Sequence, residues 1–211
     1  MKLNKEIKRS GIMLVLSSPS GAGKTTLAKK LISSDENIEL SISVTTRKPR
    51  KLEKNRADYI FVSEKHFDNM VRKNMFLEHA NVFGNKYGTP KGPIMKKLKT
   101  GKDILFDIDW QGTQELKEKE SKYLVTVFIL PPSTKELEKR LLNRAQDSIV
   151  EVQKRMAEAI SEITHWAEYD YVIINDDLEK TLKKLKAILD AERLRRDRQT
   201  GLNNFVRNSI L

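Results

Sequence analysis

Apolar residues in this chain follow two rhythms. Continuous runs occur at 12–16 (IMLVL), 104–106 (ILF), 124–130 (LVTVFIL) and 171–174 (YVII), each bounded by polar or turn-forming residues. Runs of that length with no polar alternation read as strands buried on both faces. Between them, apolar positions recur three and four apart, as at Leu178, Leu182, Leu185, Ile188 and Leu189, which is the spacing of one helix face. The pattern predicts strands over 12–17, near 40–44 and 58–62, and over 103–108, 123–130 and 171–174. It predicts helices over 24–34, 64–75, 91–100, 111–120, 133–143, 149–168 and 177–197. Ser63 and Ser133 are placed to cap two of them, and Gly101 to end a third. The stretch 76–90 (FLEHANVFGNKYGTP) reads as irregular or strand-like. Strands alternating with amphipathic helices imply an α/β fold, a parallel sheet flanked by helices. The polar stretch 41–60 and the arginine-dotted 140–155 break the alternation and read as insertions at strand ends, where ligands bind.

Composition narrows the setting. With 211 residues and no linker or repeat, one domain is expected over 1–211. No cysteine is present, which excludes disulfides and cysteine-based zinc sites and fits a reducing, cytoplasmic location. No apolar run is long enough to span a bilayer, and the basic start MKLNKEIKRS lacks the apolar core of a secretion signal. The net charge of +11 admits nucleic acid, an anionic surface or phosphorylated small molecules as partners. Most lysines are scattered on helical faces, and the one dense run, RLRRDR at 193–198, sits at a helix end, so no specific nucleic acid is expected.

Candidate chemistry begins at SSPSGAGKTT, residues 17–26, which follows the first strand and opens the first helix. A loop of this kind turns backbone N–H groups and a helix N-terminus toward polyphosphate. Ser20, Gly21, Ala22, Gly23, Lys24, Thr25 and Thr26 are candidate ATP-binding residues. Lys24 reaches the outer phosphates, and the Thr25 hydroxyl is a candidate Mg²⁺ ligand. The pattern G-x-x-x-x-G-K-[ST] wants glycine where Ser18 stands. Serine there costs backbone freedom but leaves Gly21 and Gly23, where the phosphate approaches closely, untouched.

The blocks SSPSGAGKTT, TTRKPR, ADYIFVS, FLEHA, GNKYGTP, ILFDIDWQG, PPS and INDD, in this order from about residue 12 to 190, resemble the guanylate kinases. The resemblance implies a phosphate-loop sheet of the nucleoside monophosphate kinase type, with a core at 1–40, 93–139 and 156–211, a GMP-binding insertion at 41–92 and a lid at 140–155. It implies Mg²⁺-dependent transfer of the γ-phosphoryl group of ATP to GMP, with dGMP an expected second acceptor, giving ADP and GDP. Oligomeric state is left open between monomer and homo-oligomer.

By the resemblance, Arg47, Arg50, Tyr59 and Tyr87 hold the acceptor phosphate; planar, permanently charged arginines suit a dianion. Guanine shows two adjacent donors, so its reader should be a carboxylate, and Glu78 in FLEHA matches that position with Asp109 as second candidate. Ser43 and Thr89 are matched hydroxyls at the base edge. Asp107, ending a strand, is assigned near the metal, directly or through water, and would share a strand face with Asp109. Lys24, Arg47, Arg144 and Arg155 are the expected catalytic cations, the last two from the lid, with Arg140 one turn before Arg144. Asn175 in INDD matches a position near the adenine. An ionised phosphate oxygen needs no general base, so His66, His79 and His165 have no assigned part. Leu52 and Arg56 replace glycines usual in the family, His79 a common tryptophan, and Ala145 a glycine, which predicts changed loop shape and a stiffer lid.

Three rivals remain to be weighed. Scaffold domains of similar sequence bind phosphopeptides without catalysis but lose parts of the ATP loop, which this chain keeps. A kinase acting on a sugar phosphate would have no use for Glu78, Ser43 and Thr89, and a nucleic-acid binder rests on net charge alone.

Overall fold

The computed structural model describes residues 7–51, 53–55, 57–82, 84–144 and 149–210. Leu52, Arg56 and Ala145 lie outside them, as does the Arg144 side chain. The main sheet is parallel, with β1 (Met13–Ser17) at its centre. On one side of β1 lie β7 (Asp103–Asp107) and then β2 (Ile38–Leu40); on the other lie β8 (Leu124–Leu130) and β9 (Tyr171–Ile174). The continuous apolar runs are explained by burial on both faces. Ile12, Leu14 and Leu16 pack with α1 (Lys24–Ser33) and α7 (Leu178–Leu194), while Met13 and Val15 pack with α3 (Lys91–Lys99) and α4 (Trp110–Glu120).

A second sheet of four strands stands beside the first. It joins β3 (Val44–Thr45) and β4 (Ile60–Phe61), which are parallel, to the antiparallel pair β5 (Phe76–Val82) and β6 (Asn85–Pro90). The strand-like alternative for 76–90 is therefore the one realised: a hairpin closed at Gly84, whose φ of 74° a side chain would resist. The sheet has a core of its own, in which Phe67 and Met70 of α2 (Glu64–Arg72) meet Val44 and Phe76. Leu77 is buried in the main core instead, so β5 is anchored on both sides.

The helical expectations hold with shifted ends. Ser63 caps α2 and Ser133 accepts from Glu136 N at the start of α5 (Thr134–Arg144). The helix expected over 149–168 is α6 (Ile149–Ile163) followed by a 3-10 turn, and the last predicted helix stops at Leu194. A further helix, α8 (Leu202–Ser209), was not anticipated, because its apolar residues are few. The RLRRDR run is engaged within the molecule. Arg193 bridges Asp35 and buried Asp103, both at 2.7 Å, and Arg198 pairs with Glu192 at 3.0 Å. Among the described residues no helix is long and apolar enough to cross a membrane.

Candidate active site

The phosphate loop leaves the carboxyl end of β1, where the helices that follow the adjacent parallel strands β1 and β7 pack on opposite faces of the sheet, the place at which open α/β sheets bind ligands. Gly21 and Gly23 have φ of 89° and 98°, in the left-handed region. A Cβ on Gly23 would stand 2.6 Å from Asn175 Nδ2. Ser18 is not among the positive-φ residues, so glycine is not required of its backbone; its Oγ donates to Pro19 O at 3.1 Å. Ala22 is buried, its N–H closing the turn onto Pro19 O and its carbonyl accepting from Asn175 Nδ2 at 2.7 Å. Asn175, expected near the adenine, is buried, and its side-chain amide braces the loop through Ala22.

That cleft has a volume of about 450 Å³. Ser20, Gly21, Gly23, Lys24, Thr25 and Thr26 line it from the loop. Lys24 Nζ lies 2.5 Å from Asp107 Oδ1 and 3.4 Å from the Ile108 carbonyl. The pairing of Leu16 with Asp107 across β1 and β7 sets the carboxylate beside the loop. Arg140 also faces the cleft, held by Glu136 at 3.0 Å and by Asn175 O at 3.4 Å. One residue of the cleft was missed in the sequence. Glu162 of α6 accepts the Ser20 N–H at 3.2 Å. In ISEI it looks like any surface carboxylate, and nothing local signals a loop 142 residues away.

A second cavity, of about 290 Å³, opens between the two sheets and is lined by Ser43, Tyr59, Glu78, Tyr87, Asp107 and Asp109, among others. Glu78 is 5 % exposed and receives the Thr89 hydroxyl at 2.6 Å, with Ser43 Oγ 3.4 Å from Thr89 Oγ1. Burial pushes its carboxyl up to about 7, helped by the charges of Glu115 and Asp109 and opposed by the Thr89 hydrogen bond. The Tyr59 and Tyr87 rings meet edge-on with centroids 6.0 Å apart. Arg47 lies over Tyr59 at 5.4 Å and pairs with Glu53 at 2.7 Å, and Glu53 also takes the Arg50 N–H at 2.7 Å. Glu53 thus ties the Arg47 side chain to the Arg50 backbone, while the Arg50 side chain is exposed.

Asp109 corrects one expectation. The strand stops at Asp107, and Asp109 caps α4, its Oδ1 accepting from Gly112 N at 2.9 Å. The two aspartates do not share a strand face, yet both line the second cavity. Asp107 lines both cavities and joins them. Of the lid arginines, Arg155 is half-buried on α6 and makes an interaction of its own.

A glycine loop between a central parallel strand and its helix, an Asp–Lys pair at its mouth, and an adjoining cavity with a buried carboxylate define a phosphate-loop kinase of the α/β class. The guanylate kinase family model matches residues 10–192. The guanylate kinase of Paramagnetospirillum magneticum is 55 % identical over 200 residues, covering 95 % of this chain and 94 % of that one. That of Nitrobacter winogradskyi is 55 % identical over 201 residues, covering 95 % and 92 %. The crystal structure of guanylate kinase from Anaplasma phagocytophilum superposes with a TM-score of 0.76 at 39 % identity, covering 97 % of each chain. The chain belongs to the guanylate kinase family.

Proposed function

We propose that this protein transfers the γ-phosphoryl group of ATP to GMP, giving ADP and GDP, with the donor in the loop cleft and the acceptor in the cavity between the sheets. The observation that carries the assignment is the contiguity of the two cavities through Asp107. An in-line transfer needs donor and acceptor phosphates end to end, and holding them so supplies much of the rate.

On this reading the N–H groups of the loop and Lys24 neutralise the donor phosphates. Arg47 and Arg50, with the Tyr59 and Tyr87 hydroxyls, hold the acceptor phosphate, and Arg47 must exchange part of its hold on Glu53 for the ligand. Glu78 accepts the two adjacent donors of guanine, with Ser43 and Thr89 beside it and Asp109 at the pocket's edge. dGMP offers the same base and phosphate and is a second acceptor. Residues 41–92 act as the acceptor-side insertion. Residues 140–155 act as a lid that brings Arg144 and Arg155 to the transferring group and excludes water. Asn175 serves the donor by fixing the loop's shape.

Among the described residues there is no group of three or more acidic or histidine side chains able to cage a metal. That fits Mg²⁺, which keeps its waters and binds through one or two protein oxygens and the substrate's phosphates. Thr25 and Asp107, both at the cleft, would hold it, and bound Mg²⁺ would neutralise charge on the donor phosphates. The substrates belong to the cytoplasm, where we propose the protein works. Incubating the purified protein with Mg·ATP and GMP should yield GDP and ADP in equal amounts; formation of ADP without GDP, or of neither, would overturn the assignment.

A further inference from the structure

The donor loop already has an anion on it. Glu162 lies in the last turn of α6, and its Oε2 takes the Ser20 N–H at 3.2 Å. That amide belongs to the cradle whose purpose is to hold phosphate oxygens, and a carboxylate oxygen is the same kind of acceptor. Glu162 also lines the donor cleft together with Lys24 and Asp107. Burial raises its carboxyl above the ordinary carboxylate range, helped by the charges of Asp109 and Glu158 and opposed by the Ser20 amide and the Lys24 charge. The cleft therefore carries two carboxylates against Lys24 and Arg140, and one of them sits on a phosphate-binding amide.

We propose that Glu162 is a built-in counter-anion of the phosphate loop, displaced by the donor, and thereby a determinant of which anions the loop accepts. The proposal rests on the loop being the donor site. Two anionic oxygens cannot share the Ser20 N–H, and like charges in a partly desolvated cleft repel. A ligand with one anionic group, such as inorganic phosphate, meets a rival already in place. A polyphosphate that also engages Lys24 and the remaining loop amides outcompetes it. On product release Glu162 returns to Ser20 and speeds the departure of ADP. Its part is to tune affinity through the loop, and it touches none of the reacting atoms.

Glu162→Gln keeps an oxygen able to accept from Ser20 N–H and removes only the charge, so the loop's local structure is retained. Calorimetric titration of this variant and the parent with ATP, ADP, inorganic phosphate and GMP tests the proposal. ATP and ADP should bind roughly tenfold tighter to the variant, and inorganic phosphate should become a measurable competitor of ATP. GMP affinity should change less than about twofold, because its cavity is on the other side of Asp107. Glu162→Asp, one methylene too short to reach Ser20, should tighten ATP in the same direction. Unchanged or weakened ATP binding in Glu162→Gln, with the thermal transition kept, would overturn the proposal. Failure of the parent protein to bind ATP at all, while it binds GMP, would instead overturn the assignment of the loop itself.

Discussion

The donor and acceptor sides of this molecule solve the problem of holding a nucleotide in opposite ways. The donor cleft is made chiefly by one local segment, residues 18–26, and by backbone: two left-handed glycines, loop amides, a helix N-terminus and one lysine. The acceptor cavity draws on side chains from Ser43 to Asp109, carried by β5, β6, the end of β7 and the segments beside β3, β4 and β7. On the proposed assignment its reader is one carboxyl group, that of Glu78, buried at a cost. Backbone amides recognise phosphate of any nucleotide, which needs geometry alone. Reading a base needs a desolvated side chain that is uncomfortable until the right partner arrives.

Variants on each side test the two modes of holding a nucleotide separately. The largest effect should come from Lys24→Met, which should lower turnover by about 10²–10³ while GMP affinity and the circular dichroism spectrum are kept. Near-normal turnover would remove Lys24 from the mechanism. Glu78→Gln should lower kcat/KM for GMP by about 10² and leave the KM for ATP within about twofold, measured by initial rates. Unaltered GMP kinetics would reject Glu78 as the base reader.

The same substitution should act on stability with the opposite sign. Below about pH 4.5 Glu78 is protonated in both the folded and the unfolded chain and has no net effect. Between there and about pH 7 the unfolded chain ionises first, so the buried carboxyl withdraws stability as pH rises, by about 3 kcal/mol in all. Unliganded Glu78→Gln should therefore gain on the parent in thermal melts at pH 8 and not at pH 4.5. The trade is between stability and recognition.

On the donor side, Gly23→Ala should weaken ATP binding about tenfold or more, because a Cβ would press on Asn175 and the backbone is left-handed there. Calorimetry with ATP and with GMP should show the loss on ATP alone. Ser18→Gly should change ATP affinity by less than about twofold, since that backbone needs no glycine.

How much of this was legible in the chain follows the same division. The central strands and the loop could be read directly, because buried parallel strands leave unbroken apolar runs and the loop is local in sequence. The second sheet was half-read. Two of its strands have only two residues each, and the longer pair β5 and β6 mixes polar and apolar positions, so no apolar run marks it in sequence; Phe67 of α2 stacks on Phe76 of β5 with ring centroids 4.7 Å apart. Resemblance pointed to Glu78, but its burial could not be seen from FLEHA; it arises because the adjoining Phe76 and Leu77 are buried in two different cores. Asp109 was misread because a capping position looks like a strand end until the helix start is known. Asn175 and Glu162 both reach the loop from the far end of the chain; INDD pointed to Asn175, while no local pattern announces Glu162.

The account stands or falls on the claim that one buried carboxylate chooses the purine while the loop is indifferent to it. The direct measurement is the initial rate of ADP formation from Mg·ATP with GMP, AMP, CMP or UMP as acceptor at equal concentration. GMP should exceed each of the others by at least about 10³-fold, because AMP lacks both donors that Glu78 requires. A rate with AMP within tenfold of that with GMP would contradict it.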